Sequence, residues 1–218
     1  MEGFDAQRVV AMLASHGIKS DVRMRADSTP PVAELKFNDA DGIIVQIQDR
    51  TYCGGSGALG NRCSNRPAQR TAGPAPIRVQ SLNHMTLLVS DVARARDFYE
   101  RVLGMRLRFA QGTEADWGKK VIPIIGFAQG PQFLAFSGSR DGGSRIDHFC
   151  FGMAGFNASR VVEMLAAHGL KATVRQRADT VPPTEELMTT DPDGIKIQIQ
   201  DETYCGGGGL LGDRCNAI

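Results

Sequence analysis

No apolar run in this chain approaches the roughly 20 residues that a membrane-spanning helix needs, so its 218 residues offer no membrane partner. Charge of one sign is missing too: 25 Lys and Arg stand against 24 Asp and Glu, a net charge of +1. The basic residues near Arg66–Arg78 are scattered rather than aligned, so there is no footprint for nucleic acid. Aromatic residues are sparse at 6%, with Trp117 the single tryptophan. Five cysteines are too few for a miniprotein built on disulfides. The opening MEGFDAQRVV lacks the basic start and long apolar centre of a signal peptide. What remains, with 42% apolar residues, is one large globular domain or two small ones with a real core.

What is present is a repeat. Phe4–Ser64 aligns without a gap on Phe156–Asn216, and 38 of the 61 positions are identical. RVVAMLASHG answers RVVEMLAAHG, and DADGIIVQIQD answers DPDGIKIQIQD. The two copies should therefore share one local structure. In the second, Asn157 caps a helix whose apolar face carries Val161, Val162, Met164 and Leu165, and Gly169 stops it. Lys171–Arg177 and Glu185–Thr190 read as strands on either side of the Pro182-Pro183 break. Asp191–Gly194 is a turn with glycine where positive φ is wanted. Ile195–Gln200 then alternates, with isoleucines on one face and Lys196, Gln198 and Gln200 on the other.

RIDHFCFGM, Arg145–Met153, precedes the second copy as a further strand. The unit is then strand–helix–strand–strand–strand, and the first copy begins without its opening strand. Between the copies, SLNHMTLLV starts a diverged unit. Asp91 caps its helix, which carries Val92, Ala95, Phe98, Tyr99 and Val102 on one side and ends at Gly104; Lys120–Phe127 and Gln132–Ser137 are further strands. The expected organisation is an incomplete module over 1–65, a linker over 66–80 that is rich in Pro, Ala and Gly, and complete modules over 81–140 and 144–218 that pair with each other. A second copy of the chain could complete the first module, whose sheet would otherwise show an open edge. Strict alternation puts Leu82, His84 and Thr86 on one face of their strand, and Ile146, His148 and Cys150 on one face of theirs.

LNHMTLLVSDVARARDFYERVLGMRL, RIDHFCFGM and DPDGIKIQIQD, in this module order, resemble the vicinal oxygen chelate superfamily: the glyoxalase, bleomycin-resistance and extradiol-dioxygenase group. The resemblance implies an α+β fold of repeated βαβββ modules whose curled mixed sheets pair into a cup. It also implies a divalent metal (Fe, Mn, Ni or Zn) acting on a small molecule, held by His84, His148 and Gln198. Gln198 stands where the group usually has Glu. The last strand of the other module, QFLAF, has no ligand, only Leu134 or Ala135 at the matching place. Thr86, Cys150 and Gln200 would line the cavity. Two neutral imidazoles and a neutral amide bring no anionic charge to the ion. No catalytic acid or base is identified.

His16 and His168 close equivalent helices, where a cation suits the dipole, and are read as structural. The pairs Cys53/Cys63 and Cys205/Cys215 are too widely spaced for zinc. Free thiols and a disulfide within each pair both fit, and the disulfides are the expectation, with Cys150 free. Bridges would favour a periplasmic or secreted protein, and free thiols a cytoplasmic one. CGGSGALG is not a phosphate loop, because no helix opens after it. Three functions follow: a metal-dependent lyase or dioxygenase of the vicinal oxygen chelate type, a metal-free drug-sequestering protein of the same fold, or a secreted disulfide-braced domain.

Overall fold

The computed structural model describes residues 1–26, 31–50, 52, 77–111, 122–126, 132–177 and 183–206. The chain divides into two compact units, Met1–Gly73 and Pro74–Ile218. Unit 1 holds α1 (Ala6–Ser15) and the strands β1 (Ser20–Arg25), β2 (Val32–Asn38) and β3 (Ile44–Ile47). These strands form an antiparallel sheet in the order β1-β2-β3.

Unit 2 runs β4 (Ser81–Val89), α2 (Val92–Leu103), β5 (Arg106–Gln111), β6 (Ile122–Gly126), β7 (Phe133–Gly138), then β8 (Arg145–Met153), α3 (Ala158–Ala166), β9 (Thr173–Arg177), β10 (Thr184–Thr190) and β11 (Lys196–Asp201). β–α–β–β–β thus occurs twice in succession. The sheet order is β5-β6-β7-β4-β8-β11-β10-β9, with β4 and β8 antiparallel at the centre. β4 pairs parallel with β7, and β8 parallel with β11. The two halves are therefore related by an approximate two-fold axis between β4 and β8. The fold is mixed α+β, and the sheet is open rather than closed.

Local chemistry accounts for the elements. Asp5, Asp91 and Asn157 each accept the backbone N–H three residues on, which satisfies an orphan donor of the first helical turn. Gly104, at φ 66°, ends α2 in the left-handed conformation that a Cβ would disfavour. α3 packs Val161 and Leu165 against Leu187 of β10 and Ile199 of β11. The isoleucine side of β11 is therefore core, and its glutamine side is turned the other way.

Two β-bulges interrupt the central pair. The register passes from Leu82↔Phe151 to His84↔Cys150, skipping Asn83, and from Thr86↔His148 to Leu87↔Ile146, skipping Asp147. Each extra residue reverses the phase of its strand. Strict alternation fails here: Leu82 and Ile146 fall on the face opposite the histidines, and both are exposed, at 43% and 47%.

Candidate functional site

A cavity of about 710 Å³ opens on the face of unit 2 that carries the histidines. His84 and Thr86 reach it from β4, His148 from β8 and Gln198 from β11. The two imidazole rings meet edge to face, with centroids 5.6 Å apart.

Each ring is held by the bulge residue before it. Asn83, 1% exposed, donates its amide N–H to the Tyr204 carbonyl at 2.7 Å, which leaves its oxygen to accept from His84 Nδ1 at 2.8 Å. His84 Nδ1 therefore carries the proton, and Nε2 carries the lone pair. Phe133 stacks on the ring with centroids 4.4 Å apart. Burial, with His148 and Arg177 nearby, holds the pKa of His84 down at about 3 against the Gln198 oxygen, which would accept from a protonated ring, so the ring stays neutral. Asp147 Oδ2 lies 2.8 Å from His148 Nδ1, and Lys196 Nζ donates to Oδ1 at 2.8 Å. Burial works to raise the Asp147 carboxyl, but the bonds to Lys196 and His148 outweigh it and hold the group below its ordinary range. His148 Nε2 lies 3.2 Å from the Thr86 hydroxyl.

Sequence reasoning passed over Asn83 and Asp147, because alternation assigned them to the opposite face. A signal was present: LNH and IDH both set a polar residue directly before the histidine. Cys150 and Gln200 correct the expected lining. Both are buried, at 0% and 1% exposure, and neither lines the cavity. The short Cys150 thiol lies between the longer His84 and Gln198, its partners on β4 and β11. Burial, with Glu186 nearby, pushes its pKa far up, so it is no nucleophile. Gln200 is drawn beside Gln198, whose Nε2 donates to its Oε1 at 2.6 Å.

Arg177, Glu186 and Tyr204 form a second network that sequence reasoning missed, assembled from β9, β10 and the segment after β11. Arg177 donates to Glu186 Oε1 at 2.8 Å and to the Tyr204 hydroxyl at 3.2 Å, and Arg175 reaches Glu186 Oε2 at 2.9 Å. The Tyr204 carbonyl also accepts from Asn83, so this network buttresses the histidine side of the cup. His168, at the end of α3, bonds the Met164 carbonyl at 2.9 Å and lies apart from the cavity lining. Cys150 is a free, buried thiol. Cys53, Cys63 and Cys215 lie outside the described residues, as does the glycine-rich stretch after Cys53.

The donor set can be tested for a cation. Gln198 spends its amide nitrogen on Gln200, so the atom left for His84 is its oxygen. His84 Nε2 and that oxygen are then two acceptors turned toward each other, which a cation between them would satisfy. His148 Nε2 is a third donor nearby. The fourth place is empty of ligand atoms. Thr86 pairs with Ala135 on β7 as Cys150 pairs with Gln198 on β11, so Ala135, rather than Leu134, is the two-fold counterpart of Gln198. Among the described residues no group of three or more His, Cys, Asp and Glu side chains could hold a metal. The residues gathered here are two histidines and one glutamine, none of them a carboxylate.

Paired βαβββ modules around a cup, with a histidine from each opening strand, define the vicinal oxygen chelate class of fold. The chain belongs to the Glyoxalase/Bleomycin resistance protein/Dioxygenase superfamily, which residues 81–199 match. The structure is similar to BphC, a halotolerant catechol dioxygenase, with a TM-score of 0.65 and 15% identity over 92% of this chain and 65% of that one. It is similar to the Mn(II)-bound glyoxalase from Novosphingobium aromaticivorans, with a TM-score of 0.65 and 13% identity over 91% of this chain and 59% of that one. The 2,3-dioxygenase LapB from Pseudomonas sp. KL28 also gives a TM-score of 0.65, at 15% identity over 94% of this chain and 69% of that one. At these identities the likeness is one of fold, and the chain spans less than two thirds of the length of the first two. No curated protein matches the sequence.

Proposed function

We propose that unit 2 is a glyoxalase- or dioxygenase-like enzyme that binds a divalent metal through His84, His148 and Gln198 and acts on a small molecule bearing two neighbouring oxygens. The observation that carries this reading is the pair of facing acceptors, His84 Nε2 and the Gln198 oxygen, beside a second imidazole. The Mn(II) of the similar glyoxalase supports it. A bound divalent ion would act as a Lewis acid toward the substrate oxygens. The protein's own part is orientation. Asn83 and Asp147 fix the Nδ1 side of each ring so that Nε2 is presented, while Phe133 and Tyr204 wall off water beside His84. In the same proposal 1–65 is an incomplete module, 81–140 and 144–218 are the pair that makes the cup, and Cys205 is bridged to Cys215.

Calorimetric titration of chelator-treated protein with Mn²⁺, Fe²⁺, Ni²⁺ and Zn²⁺ tests the reading. One ion per chain is expected, and His148→Ala should weaken it at least about 100-fold, the loss of one of three protein ligands. No binding by any of the four ions, or an unchanged affinity in the variant, would sink it.

A second reading has its own observation. Turning both glutamine amides through 180° makes Gln198 the donor to His84 and needs no ion. Ala135 also leaves the fourth place without a ligand, and the carboxylates of Asp147 and Glu186 are engaged elsewhere. On this reading unit 2 is a metal-free binding cup. Gln198→Glu separates the two: an enzyme site gains metal affinity from the added charge, and a cup built on the amide loses ligand binding.

A further inference from the structure

Five polar groups are linked one to the next: the Tyr204 carbonyl, Asn83, His84, Gln198 and Gln200. One end of this line is fixed. A backbone carbonyl only accepts, so Asn83 turns its amide N–H to Tyr204 and its oxygen to His84, and His84 presents Nε2 as an acceptor. The other end carries a defect. Gln198 donates to Gln200 Oε1 at 2.6 Å, and Gln200 Nε2 is a buried donor with no hydrogen-bond partner among the described residues. A buried N–H without an acceptor is rare and costly. The repeated pair in unit 1 has the same orientation without the defect: Gln46 donates to Gln48 at 2.8 Å, and Gln48 Nε2 reaches the Ala33 carbonyl at 3.5 Å.

Neither amide of the buried pair can turn alone. Reversing Gln198 by itself would set two carbonyl oxygens against each other, and reversing Gln200 by itself would set two amide nitrogens together. With both reversed, Gln200 donates to Gln198, Gln198 donates to His84 Nε2, and the Gln200 oxygen is left over in place of the nitrogen. A buried carbonyl without a partner is tolerated better than a buried N–H. The reversed pair therefore suits the cup without an ion, and the observed pair, with two acceptors facing each other, suits a cation. We propose that Gln200 is the positioning residue that decides which end of the Gln198 amide faces His84: the pair rests reversed, and both amides turn over together when a divalent ion is held. The cost of orphaning Gln200 Nε2 is then subtracted from the affinity for the ion. The proposal deepens the reading above and rests on it for the ion, whereas the resting orientation is independent of it.

The test is nuclear magnetic resonance on the full chain labelled with ¹⁵N, after chelator treatment and again at saturating Zn²⁺, which is d¹⁰ and diamagnetic. A scalar coupling across an N–H···N hydrogen bond joins two nitrogens only when one donates directly to the other. It is expected between the Gln198 amide nitrogen and His84 Nε2 in the ion-free protein, and Gln198→Met, which removes the donor, assigns it by its loss. Zn²⁺ should abolish it in wild type. Gln200→Glu, at about pH 8 where a carboxylate is ionised, accepts from Gln198 and cannot donate. That variant should lack the coupling even without ion and should hold Zn²⁺ at least about tenfold more tightly, the effect of one orphaned donor on an equilibrium. The two wild-type measurements decide the orientation whether or not the variant folds. Absence of the coupling in ion-free wild type, its survival at saturating Zn²⁺, or its survival in Gln200→Glu overturns the proposal. If the coupling is present and Zn²⁺ does not bind, the resting orientation stands and the metal reading fails.

Discussion

The chain has written one stretch of structure twice, and unit 1 and the second half of unit 2 can be compared bond for bond at an offset of 152 residues. Arg25 pairs with Glu34 at 2.8 Å, and Arg177 with Glu186 at 2.8 Å. Gln46 donates to Gln48 at 2.8 Å, and Gln198 to Gln200 at 2.6 Å. Asp39 Oδ1 caps the N–H groups of Asp41 and Ile43, as Asp191 Oδ1 caps those of Asp193 and Ile195. Even the sheet margin agrees: Arg50 N–H donates to the Met1 carbonyl as Glu202 N–H donates to that of Met153. The copies differ in what lies beside β3 and β11. β11 pairs with β8, and through β8 with β4 and its histidine; β3 is an edge of its three-stranded sheet. The glutamine pair is thus a property of the repeated sequence, whereas the site depends on the strand laid against it. Gln46 has the local geometry of Gln198 and no imidazole on a neighbouring strand of its own sheet.

The sharpest way to break the comparison is at the shared ion pair. Glu186→Ala removes the carboxylate paired with Arg177, whose side chain is 5% exposed, and should cost about 3–5 kcal/mol. Glu34→Ala removes the carboxylate paired with Arg25, which at 21% exposure is already partly solvated, and should cost about half as much. Because the chain has two units, the measurement is hydrogen exchange read separately over each copy. Equal costs would mean that exposure does not set the difference.

Acid comes next. The folded pKa of His84, about 3, lies below the ordinary 6.5, so below pH 6.5 the unfolded chain takes up a proton that the folded chain refuses. Its contribution is whole above pH 6.5 and is lost as pH falls toward 3, by order of a few kcal/mol. Asp147 has the same sign: its stabilisation is present above the ordinary carboxylate range and fades as pH falls through its lowered folded value. No described residue of unit 1 corresponds to either. A denaturant series from pH 7.5 to 4 should therefore weaken unit 2 more than unit 1, and His84→Gln should flatten the difference.

Asp147→Asn should keep the His148 ring in place but weaken metal binding by about 10–100-fold, as loss of a ligand's outer partner does. Rescue by Glu at position 147 would point to the carboxylate's charge, and an unchanged affinity would deny it a positioning role. The smallest effect is expected at the turns. Gly42 and Gly194 sit at φ 81° and 83° with nothing within 4 Å of an added Cβ. Alanine at either should cost about 1–2 kcal/mol through backbone conformation alone. The two costs should agree within a few tenths; a clear inequality would mean that surroundings, not φ, decide.

Much of this molecule was legible before any coordinate. Caps at Asp91 and Asn157, stops at Gly104 and Gly169 and the Asp-Pro-Asp-Gly turn are local signals, and the elements follow them closely. β5, Arg106–Gln111, went unassigned because its alternating basic and apolar residues run directly on from the helix stop. That His84, His148 and Gln198 would line one cavity was legible because each strand could be matched to the family pattern. The Arg177–Glu186–Tyr204 network was not, since partners 9 and 27 residues apart are joined only by the sheet. Cys150 and Gln200 were assigned to the right face, but depth within a face depends on the size of neighbours on other strands, which alternation does not report.

The bulges at Asn83 and Asp147 have a consequence for how this site can be lost. A strand keeps time in steps of two, and each histidine here arrives half a step late because one residue has been added ahead of it. Replacing Asp147 by another residue leaves that count intact and changes only the grip on the ring. Removing Asp147 would restore the regular count, turning either His148 away from the cavity or Arg145 and Ile146 out of their present order. The reading frame of the strand, more than the identity of any one side chain, is then what heredity must preserve: at these two positions a deletion is expected to be far more damaging than a substitution.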